Sequence, residues 1–482
     1  MTGARGAQEA LERRLRVGLS GIPHGGASLA VLRGTSEIAI TIPGGVHHSS
    51  AQSAGPDADS LFHLCSCSKG FLSLTFAKLV SMGVTSWDDP IIELIPEMAL
   101  PDELAQSHCT FRDLASMRTG ISREGIAEWG IDQTFSKARR ISRTRHMKMS
   151  AGFRETFTYS NLGYIALGLA VERLTGRTLY EVQRELLFEP IGMTGVWSGL
   201  STADVPSNLI RPCVPLNGHP TQVDELTGQN SEGSARIHAS AHGALSWLKF
   251  LLDVACKREN HRSVAAMAEV FAPQTSVKDV DLRWSPERTT CHYGLGFFIA
   301  ELAGHRLLHH GGGGRGWRIQ CLVAPEADTA LLLMVSAESA RIDGLAFDLM
   351  DLLLDVAPRN WTGRMEEESV RRATSMQTQI SSQFPVDKDG SIGEVIAPGC
   401  YANKLTGAIT ISEEANGLIL KFEDAPIFDS HLIPAANGTL IMNIDTPALK
   451  PQPLDPLFRL RAATDSAYAL DSTYFGRLYR CA

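Results

Sequence analysis

The sequence of 482 residues predicts an α/β (α+β) protein in two parts, a larger part with a sheet flanked by helices and a smaller all-β part. Strand-like apolar runs occur near both ends of the larger part, and segments with helical apolar spacing lie between them. Roughly the last 90 residues alternate short apolar runs with Gly, Asn and Pro turns, which is typical of an all-β unit. The length also favours two domains, since one domain usually takes ~100 to 200 residues.

The first predicted elements are a helix and a hairpin. Glu9–Leu19 has amphipathic helical spacing, and strands over Ala27–Arg33 and Glu37–Ile42 are joined by a Gly-Thr-Ser turn. A long helix is predicted over Ser68–Met82, where Gly83 occupies the C-cap position that favours glycine.

Helices and strands continue through the rest of the larger part. A helix should follow Asn161 and end at Gly176, and another should cover Ala239–Val254. The remaining elements predicted there are strands over Tyr293–Ala300, Trp317–Ala324 and Thr329–Val335 and a helix over Gly344–Val356.

A polar stretch divides the two parts. We predict one domain over residues 1–359, a linker over residues 360–394 and a β-rich domain over residues 395–482. Strands of the last domain are predicted over Ala408–Ser412, Gly417–Phe422, His431–Pro434 and Thr439–Ile444.

Composition excludes several classes of partner. The formal net charge is −8, from 45 Lys plus Arg and 53 Asp plus Glu, and no basic run carries interleaved aromatic residues, so we expect no nucleic-acid partner. No apolar run approaches the ~18 residues of a membrane span, so we expect no membrane partner. Residues 1–16 are rich in arginine and lack an apolar h-region, which predicts a cytoplasmic protein without a secretory signal.

The cysteines and histidines do not predict a metal site. The nine cysteines are an odd number without Cys-x-x-Cys spacing, which suits free thiols in a reducing compartment better than a disulfide or zinc framework. His305, His309 and His310 have no nearby carboxylate or cysteine to complete a zinc site. We therefore expect neither metal nor cofactor.

The chemistry begins with Ser66-Cys67-Ser68-Lys69 at the start of the first long helix. Residues three apart share a helix face, so Lys69 can reach the Ser66 hydroxyl. A serine at a helix start keeps a backbone N–H that is free to donate to an oxyanion. Lys69 can accept the serine proton if it is neutral, which requires a pKa well below the ordinary ~10.4.

Two further patterns supply polar groups. Tyr159-Ser160-Asn161 places Asn161 at the predicted N-cap of the second long helix, where Tyr159 could relay the serine proton and the Asn161 amide could bind both the lysine and a substrate carbonyl. The run His310-Gly311-Gly312-Gly313 lets a substrate approach the backbone closely, so an edge strand here could pair with the ligand and supply an oxyanion donor from Gly313.

Three other matches are interpreted as structural. Ser246-x-x-Lys249 lies inside an amphipathic helix, and Tyr401-Ala402-Asn403 opens a strand in the β-rich part. The dinucleotide-like spacing Gly311-x-Gly313-x-x-Gly316 runs into a strand instead of opening a helix. No Gly-x-Ser-x-Gly occurs, which disfavours an α/β-hydrolase.

Together and in this order, the three patterns resemble the serine β-lactamase and penicillin-binding-protein superfamily, most closely its class C β-lactamase, family VIII carboxylesterase and D-aminopeptidase branch. The resemblance covers roughly residues 27–356. Further similar stretches are Ser60–His63, Val84–Pro96, Phe111–Ile121 with Arg118-Thr119-Gly120, Leu186–Thr194 with Pro190-Ile191-Gly192-Met193, and Tyr293-Gly294-Leu295-Gly296.

This resemblance implies a fold. It implies a β-lactamase/transpeptidase-like domain with a central antiparallel sheet, flanking helices and an all-helical subdomain. The β-rich tail looks like the small barrel-like domain appended to many relatives of the esterase and peptidase type. Residues 122–158 and 202–230, which are irregular and lie between the similar stretches, are expected to be inserted loops that line the cleft.

The resemblance also implies roles for individual residues. Ser66 would be the acylated nucleophile, and Lys69 and Tyr159 would handle its proton. Asn161 would contact the substrate and the lysine. The backbone N–H groups of Ser66 and Gly313 would form the oxyanion hole.

Two departures bear on the substrate. His310 stands in the slot of the family's Lys-Thr-Gly lysine, which removes a permanent cation and makes plain β-lactam hydrolysis less expected. Arg315 could restore a carboxylate-binding cation, although a solvated loop arginine is the favoured interpretation.

Cys65 and Cys67 flank the nucleophile and are interpreted as small buried residues rather than reactive thiols.

These features predict a serine acyl hydrolase, which could be an esterase, an amidase or a peptidase. It would act on a small-molecule ester, amide or lactam through an acyl-Ser66 intermediate. The alternatives are an acyltransferase of the lovastatin-synthesis type, which uses the same intermediate, and an inactive scaffold of the same fold. The presence of serine, lysine, tyrosine and asparagine together argues against the scaffold. The oligomeric state stays open.

Overall fold

The computed structural model of the chain describes most of the sequence. Parts of the two expected cleft loops, residues 123–135 and 224–230, and the end of the predicted linker, residues 384–394, lie outside the described residues. The described residues are 2–45, 55–122, 136–198, 205–216, 218–223, 231–258, 262–278, 286–287, 290–383, 398–404, 407–414, 417–423, 429–434, 440–444, 459–463, 466–472 and 476–481.

The helices include every long helix that the apolar spacing predicts. Short 3-10 turns and one π-helical turn, Arg184–Phe188, connect several of them. The α-helices of the described residues are α1 (Thr2–Leu19), α2 (Ser68–Ser81), α3 (Ile91–Leu94), α4 (Glu103–His108), α5 (Phe111–Ala115), α6 (Lys137–Ser142), α7 (Asn161–Thr175), α8 (Leu179–Gln183), α9 (Ala241–Ala255), α10 (Arg262–Ala268), α11 (Ala340–Leu353) and α12 (Trp361–Gln383).

The strands fall into two groups, one before α11 and one after α12. Those of the first group are β1 (Gly26–Arg33), β2 (Ser36–Pro43), β3 (Phe62–His63), β4 (Val196–Trp197), β5 (Cys213–Leu216), β6 (His219–Gln222), β7 (His238–Ala239), β8 (Thr275–Ser276), β9 (His292–Tyr293), β10 (Phe298–Leu302), β11 (His305–Gly314), β12 (Trp317–Ala324) and β13 (Thr329–Val335). Those of the second group are β14 (Gly399–Asn403), β15 (Gly407–Glu414), β16 (Gly417–Phe422), β17 (Ser430–Pro434), β18 (Leu440–Ile444), β19 (Arg459–Ala463), β20 (Ser466–Ser472) and β21 (Gly476–Arg480).

The central sheet joins strands from both ends of the larger part. Its order is β2-β1-β13-β12-β11-β10-β9-β8, and its neighbours are antiparallel. The N-terminal hairpin, β1 and β2, joins the other strands of the sheet through the pairing of β1 with β13, in which Ala27 pairs with Val335. The predicted antiparallel sheet with helices between its outer segments is confirmed.

Both faces of this sheet are covered, as the near-continuous apolar character of β13 requires. Alternate residues of β13 enter different cores: Leu331 and Leu333 pack with α1 and α11, whereas Leu332 and Met334 pack with α2 and α9. Helices α2 to α8 follow one another without a named strand in the described residues, which confirms the all-helical subdomain. The sheet thus positions α2 beneath one face and leaves its N-terminal end near β11.

The predicted strand over Tyr293–Ala300 is interrupted in the structure. Residues 294–297 leave the sheet between β9 and β10 and pack on α2. Gly296 has a φ of +107°, and a Cβ there would lie 2.8 Å from Ser73 Oγ. Glycine is required for this close approach, so the strand prediction was wrong at its centre.

The first part of the predicted linker, Trp361–Gln383, is a helix. Trp361 and Met365 lie one turn apart on α12 and are buried in the core that α11 shares. The Asp348 carboxylate of α11 accepts the backbone N–H of Trp361 at 2.9 Å and holds the start of the helix. Trp361 and Met365 form a short apolar stripe within a polar stretch of sequence, and this stripe is enough to pack the start of the helix against the core.

The C-terminal strands form a closed barrel in sequence order, with β14 paired to β21. The predicted barrel-like domain is confirmed. A disulfide joins Cys400 of β14 to Cys481, which follows β21, so the expectation that all nine cysteines are free was wrong for this pair. Barrel closure brings together two thiols 81 residues apart, and spacing along the chain carries no sign of that.

No helix in the described part of the chain combines the length and the apolar character needed to cross a bilayer.

A buried carboxylate organises the helical subdomain. Asp113 of α5 is fully buried and accepts hydrogen bonds from Arg118 at 2.5 Å and from Arg154 at 2.7 Å. Burial raises the pKa of the Asp113 carboxyl, but hydrogen bonds from Arg154, the Thr110 backbone and Arg118 outweigh burial and leave the pKa below its ordinary value. The Arg-Thr-Gly stretch therefore has a structural role at Arg118.

Asp113→Asn should lower the free energy of unfolding by about 3 to 5 kcal/mol at neutral pH, because it leaves two guanidinium groups without their buried carboxylate. A carboxyl with a lowered folded pKa stabilises the protein above its ordinary pKa and loses that contribution as pH falls through the folded value. The gap between wild type and variant should therefore shrink in acid. Urea unfolding at neutral and acid pH measures it.

Asp88→Asn is the matched control, since Asp88 also pairs with an arginine, Arg112, but its side chain is 65% exposed. We expect a loss of about 1 kcal/mol or less from this exposed pair. Equal losses in the two variants would contradict the assignment.

Candidate active site

The candidate nucleophile lies in a turn that leads into α2. Cys65–Cys67 form one 3-10 turn, so Ser66 precedes the α-helix instead of opening it. Cys65 has a φ of +48°, which an L residue adopts only when its surroundings hold it there. The Leu64 N–H donates to Ile237 O at 2.8 Å and anchors the turn to the segment beside β7.

Lys69 is the best-connected side chain of the site. It is fully buried, and its Nζ lies 3.2 Å from Ser66 Oγ. The same nitrogen donates to Asn161 Oδ1 and to the Ser234 carbonyl, each at 2.9 Å. It also lies 4.9 Å from the centre of the Tyr159 ring. The structure therefore brings together the serine, lysine, tyrosine and asparagine that the sequence singled out.

The start of α7 places Tyr159 and Asn161. Ser160 is the N-cap, and its Oγ accepts the Gly163 N–H, so the prediction of Asn161 as the N-cap was one residue off. Asn161 is the first residue of the helix, and its amide oxygen faces Lys69. A serine and an asparagine are both good caps, and local sequence does not decide between neighbours.

The glycine run is the second half of β11. Pairing of β11 with β10 ends at His309 and Phe298, whereas pairing with β12 continues to Gly314. Residues 310–314 therefore have one edge that no described strand occupies. A Cβ at Gly312 would lie 2.5 Å from Leu64 O, so only glycine allows this edge to lie against the nucleophile turn.

His310 lies next to the Tyr159 ring, at 6.3 Å between ring centres, and is uncharged at neutral pH. It is 2% exposed, and burial is the main cause that lowers its pKa to about 3. Nδ1 lies 2.6 Å from Gly311 O, a carbonyl that can only accept, so the ring proton is on Nδ1. Nε2 is then a buried acceptor without a hydrogen-bond partner.

Arg315 lies in the turn between β11 and β12 and is half-buried. Burial lowers the pKa of its guanidinium, and the nearby Glu338 carboxylate opposes that effect. Glu338 also accepts the Gly316 N–H at 2.9 Å. Arg315 therefore has a carboxylate of the protein itself to balance its charge.

A family profile covers the segments that carry the serine and lysine, the tyrosine and asparagine, and the glycine-rich strand edge. The Beta-lactamase profile matches residues 19–354, which is most of the chain. The chain belongs to the Beta-lactamase family. The resemblance inferred from three short patterns is confirmed.

Curated relatives of this family member are distant. An unguisins hydrolase from Aspergillus campestris is 25% identical over 310 residues, which cover 62% of this chain and 57% of the relative. A D-aminopeptidase from Brucella anthropi is 25% identical over 269 residues, covering 53% of this chain and 46% of the relative. The chain thus spans about half the length of the curated relatives it matches.

Solved structures show the same fold, in one case over nearly the full length of the chain. The octameric penicillin-binding protein homologue from Pyrococcus abyssi superposes with a TM-score of 0.64 at 16% identity and covers 98% of this chain and 99% of its own. A D-stereospecific amidohydrolase from Streptomyces superposes with a TM-score of 0.53 at 17% identity, covering 69% and 93%. These likenesses concern the fold.

The two cysteines beside the nucleophile are buried. Burial raises the pKa of the Cys67 thiol well above its ordinary value, and Cys321 and Cys65 raise it further. Cys67 Sγ donates to the carbonyl of His310 at 3.1 Å. Cys67 is therefore a packing residue, as expected, because a thiolate is the reactive form.

The competing motifs fall elsewhere. Ser246 lies in α9 and donates to Gly192 O at 3.3 Å, and Tyr401 lies on β14 of the barrel. Within the described residues no group of three His, Cys, Asp or Glu side chains is placed to hold a metal ion.

Sequence reasoning missed two contacts of Lys69. Tyr164 lies 5.5 Å from Lys69 Nζ at its ring centre, and its i, i+3 spacing from Asn161 on α7 is a signal that could have found it. Ser234 contributes only a backbone carbonyl, which any residue type can supply. No sequence signal marks it.

The His310 imidazole should remain neutral from about pH 5 to pH 8, since its folded pKa is about 3. In the unfolded state the His310 imidazole has its ordinary pKa of 6.5 and binds a proton below that pH, whereas the folded state does not. The free energy of unfolding should therefore fall as the pH drops below 6.5. NMR of labelled histidines checks the first point, with His310→Gln to assign the signal. A titration midpoint near 6.5 would contradict it.

Proposed function

We propose that this chain is a serine acyl hydrolase for small, uncharged esters or amides, with Ser66 as the nucleophile. The contact between Ser66 Oγ and Lys69 Nζ, at 3.2 Å, is the observation that carries the proposal. Two acceptors, Asn161 Oδ1 and Ser234 O, lie at 2.9 Å from the same nitrogen. A neutral lysine can donate its two N–H groups to them and keep its lone pair for the serine hydroxyl.

The reaction then has two steps. Ser66 Oγ attacks the carbonyl carbon while its proton passes to Lys69, and Tyr159, whose ring centre lies 4.9 Å from Lys69 Nζ, carries the proton to the leaving alcohol or amine. The C–O or C–N bond breaks and an acyl-Ser66 ester remains. Water then attacks this ester and gives its proton to Lys69, the bond between the acyl carbon and Ser66 Oγ breaks, the carboxylic acid leaves, and the proton returns to Ser66 Oγ.

Backbone groups supply the charge stabilisation. In the proposal, the N–H groups of Ser66 and Gly313 donate to the oxyanion that forms at the carbonyl oxygen. The open edge of β11 beside the nucleophile turn supports this placement, because a substrate lying along that edge brings its carbonyl toward both groups. Acyl transfer to an alcohol or amine would use the same intermediate with a different acceptor.

The environment of His310 favours an uncharged substrate. Where a lysine would present a cation to a carboxylate, this site presents a neutral ring whose N–H is already directed at Gly311 O. Arg315 is balanced by Glu338. The relatives and structural neighbours include an unguisins hydrolase, a D-aminopeptidase and a D-stereospecific amidohydrolase, which supports amides as one class of substrate.

Ser66→Ala should abolish acylation without unfolding the protein, because it removes one oxygen from a residue that is not in the core. After treatment with a fluorophosphonate, intact-mass spectrometry should show one adduct in the wild type. Mass spectrometry of the digested protein should place that adduct on the peptide that contains Ser66. Ser246→Ala is the matched control, since it removes the serine of the second Ser-x-x-Lys pair and should label like the wild type. Labelling that depends on Ser246 would contradict the assignment.

A short-chain nitrophenyl ester should be turned over faster than a chromogenic cephalosporin. A charged hydrogen bond is worth roughly 1.5 to 3 kcal/mol against ~1 for a neutral one, so the missing cation costs about one decade in affinity for a carboxylate substrate. Arg315→Ala should change neither rate by more than about twofold, since the reaction does not use this charge. Faster cephalosporin turnover that is lost in Arg315→Ala would overturn this preference.

A further inference from the structure

Two lysines connect the same pair of structural elements. Lys69 Nζ joins Asn161, the first residue of α7, to the carbonyl of Ser234 in the turn that precedes β7. At the other end of α7 a second lysine, Lys137 of α6, makes a parallel connection to the same turn.

The second connection consists of two short ion pairs. Lys137 Nζ lies 2.7 Å from Glu172 Oε1 on α7 and 2.5 Å from Glu232 Oε2 in the turn. The side chain of Lys137 is 14% exposed and that of Glu232 only 7%. Glu172 Oε1 also accepts the backbone N–H of Leu179 at 3.3 Å, so it is held in place from a second side.

The turn itself has little freedom. Gly233 has a φ of +97°, and a Cβ there would lie 2.4 Å from Tyr164 O on α7. Arg236 has a φ of +98°, and its N–H donates to His63 Nε2 at 3.1 Å. Because the Arg236 N–H is held by His63, a shift at Glu232 has to be taken up by the backbone of residues 233–235, which includes the Ser234 carbonyl.

Glu232 needs Lys137 more than an exposed carboxylate would. Burial raises the pKa of Glu232, and Lys137 opposes that effect. The other charges that face Glu232 are Glu172, which adds to the rise, and Arg236, which opposes it. Removing Lys137 would leave two carboxylates near one another, one of them buried, and they would separate or take up a proton.

We propose that Lys137 is a positioning residue for Lys69: by holding Glu232 against α7, it fixes the Ser234 carbonyl that receives the Lys69 N–H. The inference rests on the proposed function, since it concerns the alignment of the proton acceptor of Ser66. Lys137 does not contact the reacting atoms in this arrangement. Its loss should therefore slow acylation and leave substrate affinity unchanged.

The expected size follows from geometry. A displacement of about 1 Å in a group that aligns the reaction costs up to about 100-fold in rate. Lys137→Met should lower kcat for a nitrophenyl ester by about tenfold to 100-fold and change KM by less than about twofold. Lys137→Arg keeps a cation that can contact both carboxylates, so it should recover most of the lost rate.

Arg173→Met is the matched control. Arg173 is the residue next to Glu172 on α7, and it forms a bidentate ion pair with Glu97, at 2.7 and 2.9 Å. Its removal tests the loss of an ion pair from the same helix. It should lower the melting temperature with kcat within about twofold of wild type.

The outcomes separate the possibilities. A fall in kcat with constant KM in Lys137→Met, recovered in Lys137→Arg and absent in Arg173→Met, supports the inference. A kcat for Lys137→Met that matches Arg173→Met overturns it, and so does a folded Lys137→Arg that is as slow as Lys137→Met. If Lys137→Met does not fold, Glu232→Gln replaces it with the same expected fall, and wild-type kcat in that variant overturns the inference.

Labelling of the wild type distinguishes this failure from failure of the proposed function. Fluorophosphonate should modify Ser66 in the wild type at a measurable rate and more slowly in Lys137→Met. No modification of Ser66 in the wild type would overturn the proposed function and the inference with it. Normal modification in both proteins would overturn only the inference.

Discussion

A fully buried lysine nitrogen is the constraint on which the site depends. An amine taken out of water must find hydrogen-bond partners, and Lys69 finds them on three separate segments: the nucleophile turn, the start of α7 and the turn that carries Ser234. Each segment is held in turn by close backbone contacts, such as that of Gly312 with Leu64 O. These contacts connect the three segments and hold the serine and lysine next to each other.

The same burial decides the chemistry of the strand edge. The resemblance implies a lysine, and so a cation, at the position of His310. Here the residue is buried among Tyr159, Tyr293 and Phe298, which leaves its imidazole neutral. Its ring proton is directed at its own strand. Substitution of one residue thus changes both the charge and the direction of the hydrogen bond that the site offers, and this is the physical basis for favouring uncharged substrates.

Charge pairs elsewhere divide into those that support the fold and those that align the site. Asp113 with Arg118 and Arg154 joins α5 to two non-helical segments of the helical subdomain and lies outside the contacts of Lys69. Lys137 with its two glutamates connects the elements that carry two acceptors of Lys69. Both clusters contain a buried carboxylate, so burial alone does not separate the roles. What separates them is which elements the charges connect.

The sequence by itself determined the main strands and helices and the contact of Ser66 with Lys69, because apolar periodicity and i, i+3 spacing act within one element. Only the tertiary structure decided what depends on distant segments. Ser234 contributes a carbonyl that every residue type has, and Cys400 meets Cys481 only when the barrel closes. The charge of His310 follows from what surrounds it rather than from its residue type, since burial acts on a pKa through neighbours that the chain brings from elsewhere.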